Sequence, residues 1–306
     1  MVTFDTLNFT ENTMIDESIE KFEYHKYQSR ITNFDNPATE ISIIINQEGL
    51  FTLPSDAYIL IEGRLLKADG TSYANADAVT LVNNGLMYLF SRADFQLSGK
   101  IVENIKNLGR TTTMIGLLKY SNAFQFVQGM NQLCDTYDKV VCGLTHTLTL
   151  IRDDNNKAIF RAANAAAGQI NLTKVSLFMP HVKPSLEYKL KLNKEVESKS
   201  LSVSFNERHS EFLSVSQTTD FTCSLNPTSY SARPRFIVVG FQTNKNISQE
   251  QNPATFDHCD LKNMYVTLNS RSYSEIVNYN LSLPDQQFSR AYRDASLFTK
   301  KVLWNE

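Results

Sequence analysis

Neither charge dominates this chain. Thirty Lys and Arg stand against 32 Asp and Glu, a formal net charge of −2 over 306 residues. Holding nucleic acid by counterion release takes a basic stripe or tail, and neither end carries one, so no direct nucleic-acid binding is expected. Long apolar runs are missing as well. Nothing approaches the ~18 uninterrupted apolar residues of a membrane span, so no transmembrane segment is expected. The start, Met1-Val-Thr-Phe-Asp-Thr6, has neither a cationic opening nor an apolar stretch, which predicts no signal peptide. Cysteine is scarce. Cys134, Cys142, Cys223 and Cys259 are scattered, and without a secretory signal they are expected as reduced thiols in a core. The sequons at Asn8, Asn171, Asn246 and Asn280 are read as coincidental on the same ground.

The chemistry-bearing motifs are equally thin. The histidines are His25, His146, His181, His209 and His258. A jelly-roll metalloenzyme wants two histidines one residue apart on a strand, with a carboxylate and a third histidine. His146 stands alone in Leu-Thr-His-Thr-Leu, so it is expected in a core or between strands. Phe256-Asp-His-Cys-Asp260 is the one tempting cluster. On a strand, neighbours such as His258 and Cys259 point to opposite faces and do not share a metal; a turn with Cys259 in a core is the simpler reading. There is no Gly-x-Ser-x-Gly elbow, P-loop or Gly-x-Gly-x-x-Gly. Asp153-Asp154 reads as a solvated turn, and Arg233 and Arg235, either side of Pro234, as a surface or inter-subunit pair. We therefore expect no catalytic residue, no metal, no cofactor and no enzyme.

What the chain does have is β-sheet grammar. Its 19 Phe and 13 Tyr suit pleated, half-buried surfaces. Period-two or continuous apolar runs predict strands at Glu40–Ile45, Tyr58–Glu62, Val79–Val82, Leu86–Phe90, Phe95–Leu97, Leu144–Arg152 and Ile170–Phe178. Ile101, Ile105 and Leu108, then Met114, Leu117 and Leu118, predict a helix within Lys100–Tyr120. Ile15, Ile19 and Phe22 fit a short amphipathic helical arm. After a break at Pro180–Ser185, strands are expected again at Leu186–Leu192, Leu201–Phe205, Thr218–Leu225, Pro234–Phe241 and Leu261–Leu268. Pro234–Phe241, by its continuous apolar centre, should be buried on both faces, with Phe236, Val238, Val239 and Phe241 in a core. Phe288, Tyr292, Ala295, Phe298 and Val302 predict a closing helix docked over the second unit.

Three blocks together resemble a known family. Leu81-Val-Asn-Asn-Gly-Leu-Met-Tyr-Leu-Phe90 with Leu97-Ser-Gly-Lys-Ile-Val-Glu103 resembles a strand-turn block in the first barrel of double jelly-roll major capsid proteins. Tyr137-Asp-Lys-Val-Val141 with His146–Arg152 resembles a later strand of that barrel. Arg233–Lys245, followed by Phe256–Asp260 and Val266–Asn269, is similar to the second barrel. The blocks resemble those of Polinton/Maverick-type elements and adintoviruses, whose capsid-like genes also occur integrated in insect genomes.

That resemblance implies an all-β fold, a double jelly-roll of two antiparallel β-sandwiches side by side with short helices. The expected organisation is an N-terminal arm (1–37), a first jelly-roll (38–183) and a second (184–306) that is incomplete and ends in a helix. The chain is short between Ser121 and Gln128 relative to the family, and closing strands are expected to be missing at the C-terminus. The implied role is a structural, hexon-like capsid protein of the virion, made inside the host cell, or a shortened or integrated relic of one. Its implied partners are itself, as a homotrimer and neighbouring capsomers, and penton or minor capsid proteins. Two alternatives compete: a host-retained β-sandwich that recognises a glycan or protein through its loops, and a cupin-like metalloenzyme, which the histidine pattern disfavours.

Overall fold

The structure is a computed structural model that describes residues 18–46, 49, 51–119, 139–199, 208–225, 234–245, 247–273, 279–282, 284, 285 and 287–303. Two sheets face each other across one core. The first is built on the long strand β11 (Gly168–Pro184). Along one edge it pairs with β1 (Ile19–Gln28). Along the other it pairs first with β4 (Tyr58–Lys67) and then with β3 (Phe51–Thr52), which continues to β8 (Val141–Cys142). The second sheet has the order β2 (Glu40–Ile45), β9 (His146–Arg152), β6 (Phe90–Leu97), β7 (Lys100–Lys106). All these pairings are antiparallel, and the chain crosses repeatedly between the sheets, from β1 to β2, β2 to β3, β7 to β8 and β8 to β9. That is jelly-roll connectivity. A small outlying pair, β5 (Val79–Leu81) with β10 (Ile159–Arg161), closes one end.

The alternation seen in the sequence is what separates inside from outside. Ile41, Ile43 and Ile45 of β2 face inward, opposite Leu150, Leu148 and His146 of β9. Across β6, Ala93 and Phe95 pair with the same two leucines. Val175, Leu177 and Met179 of β11 close the core from the first sheet, and all eleven of these side chains are at most 2% exposed. The β6–β7 turn is Ser98-Gly99, with φ of 47° and 81°; two successive left-handed residues make the tight hairpin whose twist matches the strands. The helix expected within Lys100–Tyr120 is α2 (Leu108–Lys119). Ile101 and Ile105, read as its first turn, lie instead on β7, because this hairpin carries the chain straight back along β6. The one-turn helix α1 (Gly85–Tyr88) docks on α2, where Asn84 Nδ2 donates to Thr112 Oγ1 at 2.7 Å.

Several expectations are corrected. Ile19 and Phe22, placed on a helical arm, lie on β1, where β11 supplies a full ladder that a short isolated helix lacks. Residues 186–192, read as a strand, belong to α3 (Leu186–Ser198). Its Leu, Glu and Lys are strong helix formers, Glu187 sits in the first turn, and no residue of it is buried. Thr218–Leu225 and Pro234–Gly240 form no strand. Phe236, Ile237, Val238 and Val239 are exposed rather than core, and Phe241 is half-buried. A strand needs a neighbouring ladder, and the pairing found for this run among the described residues is the isolated bridge Phe241–Asp257. Leu261–Leu268 shortens to β12 (Val266–Leu268), a hairpin with β13 (Arg271–Tyr273). Leu201–Phe205 lies outside the described residues. Cys142, Cys223 and Cys259 are free and exposed, not core thiols, and Cys134 lies outside the described residues.

The later chain returns to the sandwich at defined points. The Arg208 N–H donates to the buried Glu103 carboxylate at 2.9 Å, Ser210 Oγ donates to the Lys106 carbonyl at 2.6 Å, and the Arg110 guanidinium lies 4.6 Å from the Phe212 ring centre. The closing helix α4 (Phe288–Leu303) lies against α2. Its half-buried positions include Ala291 and Ala295, whereas Tyr292, expected on the packed face, is 77% exposed and Phe288 40% exposed. The side chains of Phe298 and Val302 lie outside the described residues.

Candidate assembly surface

Strands with two faces can bury one and still carry apolar side chains on the other. In the first sheet the outer face is aromatic. Lys26 and Tyr58 are both cross-strand partners of Phe178, and Phe22 and Tyr24 pair with Val182 and Pro180, so all lie on the side opposite Leu177 and Met179. Phe22 and Tyr24 meet edge to face with ring centres 5.6 Å apart. Tyr24 meets Tyr58 at 5.4 Å, and Tyr58 stacks on Phe178 at 4.8 Å. Ile19 and Leu60 extend the strip, and Phe22, Tyr24, Tyr58 and Leu60 are 38–47% exposed.

The end of the strip is charged. Lys26 Nζ sits 5.9 Å from the Phe178 ring centre, and Lys174 bridges to Glu62 at 3.3 Å. Hydrogen bonding with the Lys174 ammonium beside it lowers the Lys26 pKa. The Tyr24 hydroxyl, 3.4 Å from the Asp56 carbonyl, is pushed up mainly by burial. An aromatic centre with charged ends is the composition of a protein–protein contact.

The residues singled out in the sequence go elsewhere. His146 is buried, as expected, with Nε2 2.8 Å from Thr52 Oγ1; burial lowers its pKa to about 4. His258 lies in an exposed turn where Cys259 and Asp260 both have φ of 47°, and its Nδ1 accepts the Asp260 N–H. Asp153 does occupy a turn but is not simply solvated, since Lys157 bonds it at 2.8 Å. Arg235 is exposed, and Arg233 lies outside the described residues. Among the described residues no group of three His, Cys, Asp or Glu is placed to hold a metal ion. No described helix is long and apolar enough to cross a membrane. The aromatic strip escaped the sequence reading, although Phe22/Tyr24 and Tyr58/Leu60 carry period-two apolar signals.

The geometry defines an all-β jelly-roll with an aromatic outer sheet face. A family model described as "Double jelly roll-like domain" matches residues 116–304. That is more than half of the chain, which belongs to this family. No curated protein matches the chain. Among solved structures it is similar to the "Faustovirus major capsid protein", with a TM-score of 0.29 and 9% sequence identity. That alignment covers 60% of this chain and 59% of the Faustovirus chain, so the chain spans about three-fifths of that protein.

Proposed function

We propose that this chain is a structural, hexon-like capsid subunit, or a shortened or integrated relative of one, that associates with copies of itself. Membership of the double jelly-roll-like family carries this reading. The sequence blocks resembling major capsid proteins of Polinton/Maverick-type elements and adintoviruses support it. So does the exposed aromatic strip, whose occupant we take to be a second copy of the chain. In this reading the units are an arm (1–37) that lends β1 to the first sandwich, a first jelly-roll (38–183) and a second (184–306). Three copies close a pseudo-hexagonal capsomer, capsomers tile the shell of a virion, and penton or minor capsid proteins fill the remaining positions. The role is structural rather than catalytic.

Size-exclusion chromatography with light scattering on the full chain tests this. Discrete trimers or shells are expected, and Phe22→Lys with Tyr24→Lys should shift them to monomer without lowering the unfolding midpoint. A monodisperse monomer with affinity for glycans would overturn the proposal in favour of a binding module.

A further inference from the structure

Behind the aromatic strip, on the inward side of the same strands, imidazoles line up through one end of the sandwich. His25 on β1 and His181 on β11 stack with ring centres 3.8 Å apart and planes 8° from parallel. The Tyr27 hydroxyl lies 2.8 Å from His181 Nε2. Thr52 on β3 sits opposite His181 in the ladder and passes the line to the buried His146 on β9 in the facing sheet. The charged surroundings are sparse. Glu23 Oε2 is 3.8 Å from His25 Nε2, and Lys21 already pairs with Glu23 at 2.6 Å. Lys183 is paired with Glu20 at 2.8 Å, and Lys21, Lys183 and Lys189 line the cleft of about 370 Å³ beside His181. His181 feels His25 and Glu23, and His146 feels His181. Among the described residues one carboxylate, Glu23, therefore acts on both His25 and His181, and three lysines line the cleft beside His181.

We propose that this column is an acid-sensitive latch: protonation of His181 against His25 releases β1 from β11 and takes apart the aromatic strip, to which β1 contributes Phe22 and Tyr24. β1 is the part that yields because it is the edge strand of its sheet and pairs with β11 alone among the described strands. Nearly all of its residues are exposed. The Tyr27 bond does not prevent protonation, since a protonated Nε2 can donate to the hydroxyl where a neutral one accepts. Two cationic rings stacked at 3.8 Å repel each other, and among the described residues Glu23 is the carboxylate placed to offset them.

Burial, followed by the neighbouring histidine, holds both His181 and His146 down to about 4. These groups are neutral in the folded chain at pH values where the unfolded chain already charges them. The stability they support is full above an unfolded value of about 6.5 and is lost as pH falls from there toward 4. Release of β1 stands on this geometry alone, whereas its consequence for association rests on the capsid reading above.

Hydrogen exchange of the full chain at about pH 7.5 and about pH 4.5, corrected for intrinsic rates, tests the latch. Protection of residues 21–28 should fall on acidification at least about ten-fold more than that of 146–151. His25→Ser and His181→Gln should each move the midpoint of that loss down by about one pH unit. His25→Ser decides the matter if His181→Gln does not fold, because the His25 side chain is half-exposed. Loss of protection in β1 and β9 together, or a wild-type midpoint in His25→Ser, would overturn the proposal. Light scattering on the same samples separates the two readings. If β1 is released without any change in association, the latch stands and the assembly role of the strip falls.

Discussion

The Gln249 side chain pairs with the backbone of Gly168 as a neighbouring strand would. Its Nε2 donates to the Gly168 carbonyl at 2.7 Å, and the Gly168 N–H donates to its Oε1 at 2.8 Å. Gln249 is 5% exposed, and its own carbonyl accepts the Arg161 N–H at 2.9 Å. A segment from the second half of the chain is thereby sewn to the end of the first sandwich, and Glu250 adds an ion pair to Arg161 at 3.0 Å. Gly168 can carry no side chain there, since a Cβ would stand 2.7 Å from the Tyr73 hydroxyl.

Gln249→Ala removes both bonds and leaves a buried N–H and carbonyl without partners. The expected loss is about 1–3 kcal/mol, read from urea unfolding at neutral pH. Gln249→Glu keeps the acceptor but loses the donor, and it should be no more stable than the alanine variant. A cost below about 0.5 kcal/mol for Gln249→Ala would mean that water replaces the amide at no penalty.

Gly109 tests how tightly α1 is seated on α2. Glycine within a helix usually gains about 0.5–1 kcal/mol when replaced by alanine. Here the added Cβ would stand 2.4 Å from Tyr88 Cγ and 2.8 Å from Tyr88 Cα. The backbone of α1 must move, so the sign reverses, and Gly109→Ala should cost about 1–3 kcal/mol. A thermal midpoint at or above that of the parent would refute this packing.

Tyr88 predicts behaviour at high pH. It is 3% exposed, its hydroxyl donates to the Pro253 carbonyl at 2.9 Å, and burial raises its pKa to about 12. The folded chain holds this proton where the unfolded chain, at about 10, has released it. Its contribution is complete below pH ~10 and disappears as pH rises through about 12. Absorbance titration should show one phenolate step near that value, lost in Tyr88→Phe.

Much of the first sandwich was legible because its strands bury one face. Glu40–Ile45 and His146–Arg152 alternate cleanly, and their pairing is what their sequence pattern demands. Residues 186–192 misled because Leu-Glu-Tyr-Lys-Leu-Lys-Leu alternates but also places Leu186 and Leu190 one helical turn apart, and helix formers decide the outcome. The apolar run Phe236–Val239 reads as a buried strand, yet burial is a property of neighbours and not of the run itself. The aromatic strip was hidden for a related reason. Which side of β1 and β4 faces outward is set by their register on β11, between residues that lie more than a hundred positions apart. His146 was placed correctly, whereas its alignment with His181 and His25 depends on the same distant register.

Arg152 supplies the last prediction. Its side chain is 1% exposed at the end of β9, and burial pulls its pKa down while Asp35, Asp153 and Asp154 push it up. Nη1 donates to the Leu89 and Asp153 carbonyls, each at 2.8 Å. Nη2 donates to Asn155 Oδ1 at 2.6 Å and to the Ile170 carbonyl at 3.4 Å. One planar guanidinium thus joins α1, the turn after β9 and β11, a span that a single ammonium does not reproduce. The backbone of Arg152 makes separate bonds to Ala38 and Thr39 that hold the β2–β9 ladder, and these survive substitution. Arg152→Lys should therefore keep the fold and cost about 2–4 kcal/mol, with two or more buried acceptors left unmade at about 1–3 kcal/mol each before water relieves them. Arg152→Met should cost at least as much, because the acceptors remain while every donor is gone. Urea titrations followed by tyrosine fluorescence check both variants. Equal stability of Arg152→Met and the parent would show that these carbonyls reach water without the arginine.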